Sequence, residues 1–500
     1  MVSKGKSIVL NTFSSLGYEI ISVVAGFILP RFILVAYGSD VNGLVASITQ
    51  FLAFISFCEA GVGAVVKANF YRALATGNNN DLSCIVHSSN RFFRSIAILL
   101  IIYTGVLTVL LPLRVDDFSW IYTSSLVVII AIGSFSQYYF GLTNQLLLYA
   151  DYKAYIPISL TIIAVILNTV LCIIIIEAGG GIHLVKLVSV TIFVIKPVLL
   201  FLYVKKHYPI NKKVRYTEEP IKQKWNGFAQ HIATITQDNA SMMILTFMSS
   251  LADVSIYAVY ILIENGVRQL IFSFNSSMSP VLGELFSKNQ TEELKNFFSK
   301  FEWSLHSLSI ILFSSTAVLI VPFTLLYTKG VKGADYYVPI FAYILTAAVC
   351  IRCIQFCYNL IIQAAGQFRE TQWSSIIEAS LNIGLSLLLV YKFGLIGVAI
   401  GMLIALLYRL VFFIVYLKNH ILFRAPKFFF KLLLADLTIA SCSICTGLLF
   451  TNNIDTYFQW VISAIEVTLL SIIISFLVNL IFFKRYTLSF ILKFYNKLHK

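Results

Sequence analysis

Charge is scarce in this 500-residue chain: 12% of its residues are charged, 58% are hydrophobic, and mean hydropathy is +0.85. No soluble core needs so much apolar surface, so lipid must be its main solvent. The sequence also lacks a G-x-x-x-x-G-K-[ST] phosphate loop, a G-x-S-x-G elbow and an H-E-x-x-H helix. These absences exclude ATP hydrolysis by that loop, and hydrolysis by those two devices. Transport would then run on a gradient or on the downhill flow of the cargo. Of the eight cysteines, seven fall in apolar runs and Cys84 in a polar loop, so no disulfide framework is expected. Cys350, Cys353 and Cys357 share a helical face, and Cys442 and Cys445 lie in an apolar helix. Neither group has a nearby His or carboxylate, so no metal and no cofactor are assigned.

Apolar runs of about 20 residues or more recur throughout, too long for barrel strands, and predict an all-α polytopic membrane protein. Fourteen spans are expected near 8–36, 44–66, 92–113, 120–148, 156–177, 183–204, 227–250, 253–281, 303–327, 338–365, 372–391, 395–417, 430–450 and 458–482. Lys and Arg number 37 against 23 Asp and Glu, and they cluster on one side: Lys4, Lys6, Lys67, Arg72, Arg91, Arg94, Lys153, Lys205–Lys224, Lys418–Lys431 and Lys484–Lys500. The other side holds little beyond Arg114, Lys329, Lys332 and Lys392. By the positive-inside rule both termini face the cytosol, and the net charge of +14 reports topology and anionic lipid, not nucleic acid. The first span is too long for a signal segment and should remain in the mature protein.

Tyr-x-Lys-x-His occurs at Tyr203-Lys205-His207 and again 213 residues later at Tyr416-Lys418-His420. Asp40-Val41 and Asp253-Val254 share that offset, as do the cations Lys196 and Arg409. One membrane unit therefore occurs twice, which points to a transporter with a pseudo-symmetric cavity. The expected plan is a six-helix lobe over 1–210, a cytosolic linker over 211–226, a second six-helix lobe over 227–426 and two additional helices over 427–500. Residues 284–302 read as an amphipathic surface helix or a simple connection.

Charges inside a membrane mark functional sites by default, because each costs several kcal/mol unless paired or solvated. Those well inside spans are Glu19, Glu59, Lys196, Asp238, Glu264, Arg268, Arg352, Glu378, Arg409 and Glu466, while Arg31, Lys186 and Asp436 can snorkel. Lys196, Arg268, Arg352 and Arg409 come from spans 6, 8, 10 and 12, so a basic cavity for a phosphate or pyrophosphate is one reading. Ion pairing between or along helices, as for Glu264 and Arg268, is the other. Asp238 leads as a site for a coupling H+ or Na+, set against a role in pairing with Arg268, with Glu264, Glu19, Glu59 and Glu378 as further candidates. For Glu19 and Glu59, hydrogen bonding across the helix pair is the leading reading, ahead of titration during transport. Pro30 permits a kink beside Arg31, which would mark the external exit of the cavity.

Leu29-Pro30-Arg31-Phe32-Ile33-Leu34, then Gly38-x-x-x-x-Gly43-Leu44, and Gly61-x-Gly63 resemble Wzx-type polysaccharide flippases. Gly366-Gln367, Asn382 and Gly394-x-x-Gly397-x-Ala399-x-Gly401 extend the resemblance across the chain. It implies membership of the multidrug/oligosaccharidyl-lipid/polysaccharide exporter superfamily. It also implies movement of undecaprenyl-pyrophosphate-linked oligosaccharide to the outer leaflet of the bacterial plasma membrane, alongside other polysaccharide-assembly membrane proteins. By matching span with related lipid II flippases, Arg31 and Arg268 would engage pyrophosphate, and spans 13 and 14 would hold the lipid tail.

The expected function is thus an alternating-access flippase and not an enzyme, with Arg268, Arg352, Arg409, Lys196 and Arg31 lining a basic cavity between two lobes. A drug or cation antiporter of the same superfamily would need an acidic cavity. A major-facilitator carrier would need a Gly-x-x-x-Asp-Arg-type signature, absent from Lys67–Arg91. A membrane glycosyltransferase or polymerase would need a carboxylate pair or a large outer loop.

Overall fold

The computed structural model describes residues 4–59, 62–115, 117–211, 239–288, 290–451 and 454–489. Among these, every regular element is helical. The chain forms two compact units: Met1–Ser255 with Gly330–Ala334, and Ile256–Lys329 with Asp335–Lys500.

The first unit holds α1 (Lys4–Ala53), α2 (Val62–Thr76), α3 (Asn79–Leu110), α4 (Trp120–Ser136), α5 (Leu142–Ala150), α6 (Tyr155–Glu177), α7 (Ile182–His207) and the short apolar α8 (Asn239–Met248). Helix α1 is two rods joined at Gly38, whose φ of 81° is a left-handed conformation that a side chain would disfavour. Pro30 sits inside the helical stretch, so the break falls at the glycine and not at the proline. The first rod runs alongside α6: Asn11 accepts from the Tyr155 amide at 2.7 Å, and Tyr37 donates to the Gly180 carbonyl. The second rod packs on α8, with Ser47 and Thr246 hydroxyls 2.7 Å apart. A Cβ on Gly43 would lie 2.0 Å from the Leu251 carbonyl oxygen, so this crossing demands glycine. Leu44, Ile48, Phe51, Phe93, Leu100 and Leu126 fill the core between these helices. The expected continuous span over 44–66 is interrupted: a 3-10 turn runs over Phe54–Glu59 and α2 begins afresh at Val62, around the weak helix formers Gly61 and Gly63.

The second unit holds most of α9 (Leu251–Ser276), α10 (Ser279–Ser287), α11 (Thr291–Tyr327), α12 (Pro339–Ala364), α13 (Phe368–His420), α14 (Lys427–Gly447) and α15 (Tyr457–Phe482). Its centre is α11, of whose most apolar window 67% is buried, against 17% for α6, which leaves most of its apolar surface to lipid. Helix α15 lies antiparallel on α11, through Trp303 donating to Asn479 at 2.6 Å and Trp460 donating to the Leu319 carbonyl at 3.2 Å. The segment 284–302 is not one surface helix: α10 ends at Ser287, and 291–302 is the first part of α11, with Leu294 and Phe298 buried in the unit.

A straight α13 of 53 residues would reach about 80 Å, far beyond the roughly 30 Å of a hydrocarbon core. It is instead a hairpin turned at Gly394, where φ is 52°. The contacts open outward from that turn in register: Ser386 donates to the Val398 carbonyl, Arg409 to Ser374, and Tyr416 to Gln367.

Among the described residues, ten helices are long and apolar enough to cross a membrane, two of them the double-length Val9–Ser56 and Arg369–His420. A multi-pass membrane protein follows.

Candidate functional site

A cavity of about 1110 Å³ opens in the first unit, lined chiefly by one face of α3 and the end of α7. The face is set by helical spacing, since His87, Arg91, Arg94 and Ile98 recur every three or four residues. Asn78 caps the start of this helix, accepting from the amides of Asn80 and Asp81. Lys205 enters from the last turn of α7 and Asn144 from α5. A π-helical turn over Gln137–Gly141 shifts the register between α4 and α5.

Arg91, Arg94 and Lys205 carry permanent positive charge, and no carboxylate stands among the described lining residues. The Arg94 guanidinium lies over the Tyr139 ring at 4.7 Å, and its buried Nε has no hydrogen-bond partner. At the rim Tyr208 donates to Asp151 at 2.5 Å, and Lys153 sits 2.7 Å from the same carboxylate. Burial first, and the hydrogen bond to Asp151 second, push the Tyr208 phenol above its ordinary pKa, so it stays a neutral donor. Asn211 closes this corner, its amide donating to Ser83 at 3.0 Å and its carbonyl meeting His87 at 3.0 Å.

The residues singled out from sequence are distributed otherwise. Arg31 on α1 and Lys196 on α7 are half-buried and do not line this cavity. Glu19 is exposed on α1; Glu59 is half-buried at the end of the 3-10 turn, near Tyr138. Asp238 lies outside the described residues. In the second unit Arg268, Arg352 and Glu264 are brought together around the Cys353 thiol, close enough to act on it electrostatically. Glu264 is wholly buried, accepts from Thr346 at 2.5 Å, and leaves its other oxygen without a hydrogen bond. Arg409 is committed within its own hairpin: its Nε lies 3.5 Å from Glu378, it donates to Ser374 and to the Thr371 carbonyl, and it stacks on Phe413 at 4.3 Å.

Two groups escaped the sequence reading. Arg91 and Arg94 read there as inner-loop charges, although their spacing with His87 was the signal for a shared face. The second is a buried line in the second unit. His306 Nδ1 lies 2.6 Å from Asp436 and its Nε2 2.9 Å from the Tyr358 hydroxyl, which lies 2.9 Å from Glu302. Arg424 then donates to Glu302 at 2.6 Å and to Ser299 at 2.8 Å. Glu302 and His306 stand four apart on α11, the visible trace of this line in the sequence.

No protein-family model matches the chain, and no curated protein matches it. Solved structures match it in fold. Lipid II flippase MurJ in an inward closed conformation is similar at a TM-score of 0.70 and 15% identity, over 93% of this chain and 98% of that one. An inward-facing multidrug resistance MATE family transporter of the MOP superfamily is similar at a TM-score of 0.60 and 12% identity, over 79% of this chain and 94% of that one. The MATE multidrug transporter DinF-BH is similar at a TM-score of 0.61 and 16% identity, over 83% of this chain and 97% of that one. The expected resemblance to that exporter superfamily is borne out at the level of the fold.

Proposed function

We propose that this chain is a lipid-linked oligosaccharide flippase of that superfamily, not an enzyme, and that it carries a pyrophosphate-bearing headgroup from the cytosolic to the outer leaflet of a bacterial plasma membrane. The observation that carries the reading is the cavity of the first unit, with Arg91, Arg94 and Lys205 and no carboxylate among its described lining residues. Guanidinium groups hold phosphate oxygens through paired, charge-assisted hydrogen bonds. The volume exceeds the roughly 300–1,000 Å³ of drug-sized pockets, so sugars fit beside the phosphates. Positive lining favours an anionic cargo over a cationic drug.

Fourteen spans, cytosolic termini, two six-helix lobes and a two-helix extension complete the proposal, with alternating access as its mode of action. In it Arg91, Arg94 and Lys205 receive the pyrophosphate on the cytosolic side. Arg268, Arg352, Lys196 and Arg31 serve later stages of passage, Arg409 serves its hairpin, and Glu264, Glu19, Glu59 and Asp238 remain ion-coupling positions. The test is reconstitution in vesicles with a labelled lipid-linked oligosaccharide, scored for outward movement with and without a proton or sodium gradient. Movement that falls in R91A/R94A supports the reading, and no movement under any gradient overturns it.

A further inference from the structure

The buried line in the second unit does not balance without an added proton. Glu302, His306 and Tyr358 are each 1% exposed and Asp436 5%, and they meet one another directly, so each bridge must draw its hydrogen from the line itself. Three bridges link these side chains, Asp436 to His306, His306 to Tyr358 and Tyr358 to Glu302, and each needs one hydrogen. A neutral imidazole and a phenol supply two, and ionised carboxylates supply none. The third must come from outside, and His306, an imidazole set between the Asp436 carboxylate and the Tyr358 hydroxyl, carries it.

Charge accounting gives the same answer. With neutral His306, Glu302 is paired with Arg424 while Asp436 meets an uncharged ring, leaving one uncompensated negative charge in a buried cluster. One proton brings the cluster to neutrality. Among the described residues, α12 contributes the thiols of Cys350 and Cys357, α15 the amide of Asn479 and α9 the Glu264 carboxyl that acts on Cys350, while Lys427 and Lys431 of α14 are exposed. The exposed Lys418 of α13 lines, with Glu302, Tyr358 and Arg424, a cavity of about 20 Å³. A void of about 10–15 Å³ suffices for one water, so a proton has a route to Glu302 and Tyr358.

We propose that Asp436, His306, Tyr358 and Glu302 form a proton-binding site that holds one exchangeable proton, admitted past Arg424. Loss of the proton leaves one of the three bridges without a hydrogen. Because the bridges tie α11 to α12 and to α14, proton occupancy sets how tightly these helices hold together. The site acts independently of what the protein carries.

The test is ¹⁵N NMR of full-length, ¹⁵N-histidine-labelled protein in lipid nanodiscs at pH about 7.5, where surface histidines are mostly neutral. The expected spectrum contains one doubly protonated imidazole, absent in H306Q and converted to the singly protonated form in D436N, whose cluster balances without the extra proton. Should H306Q fail to fold, the D436N comparison suffices. An all-neutral spectrum in the unaltered protein, or a doubly protonated signal retained in D436N, overturns the proposal. No cargo is needed, so its failure and that of the flippase reading are told apart.

Discussion

Arg409 and Glu378 face each other at 3.5 Å inside one helical hairpin, both nearly sealed from solvent. The 213-residue offset that links Arg409 to Lys196 sets Val165 against Glu378, so the sequence offers Lys196 no carboxylate at the matching position.

Breaking such a pair strands a buried charge. R409A is expected to destabilise the protein by about 3–5 kcal/mol. R409L/E378L, which removes both charges, is expected to recover most of that loss. Thermal unfolding in detergent, read by near-UV circular dichroism, checks the ordering. A single variant no less stable than the double would refute it.

The multi-pass helical character was legible because lipid imposes long apolar runs, and because local geometry follows local sequence. Both Tyr-x-Lys-x-His segments fold alike: the rings of Tyr203 and His207 stack at 4.1 Å, and those of Tyr416 and His420 at 4.4 Å. Partner choice was not legible. His306 meets groups 52 and 130 residues away, and Glu378 meets Arg409 only because Gly394 folds the hairpin back. Counting charges along spans placed Arg409 among ligand-binding cations, whereas packing gave it a carboxylate, a hydroxyl and a ring.

The glycines of the C-terminal motif serve close approach, and a control residue stands nearby. A Cβ on Gly401 would fall 2.7 Å from the Ser386 backbone nitrogen, whereas one on Gly384 meets nothing within 4 Å. Identical changes on the same hairpin should therefore differ in sign. G401A is expected to lower the unfolding temperature. G384A is expected to leave it unchanged or to raise it by up to about 1 kcal/mol of helix stability.

Tyr208 gives a pH dependence with a definite sign. Its phenol holds its proton more firmly in the folded state than in the unfolded chain, through burial and Asp151. The stabilisation is whole below the unfolded phenol's pKa of about 10 and is lost as pH rises above it toward the folded value. Unfolding midpoints should fall more steeply above about pH 10 for the unaltered protein than for Y208F. Parallel profiles would show that this corner carries no such linkage.

The cavity makes the sharpest demand on binding. If the Arg94 guanidinium donates to a phosphate oxygen, R94A removes a charge-assisted bond of about 1.5–3 kcal/mol, a roughly 10- to 150-fold loss of affinity. R94K keeps the charge but not the fork, and is expected to recover only part of it. K205A removes a point charge at the mouth, so its effect should shrink as salt rises, while that of the part-buried Arg94 persists. Calorimetric titration of inorganic pyrophosphate into the purified protein, at low and high ionic strength, separates the two. Equal salt sensitivity for both variants would mean that Arg94 acts through general charge and not through a directed hydrogen bond.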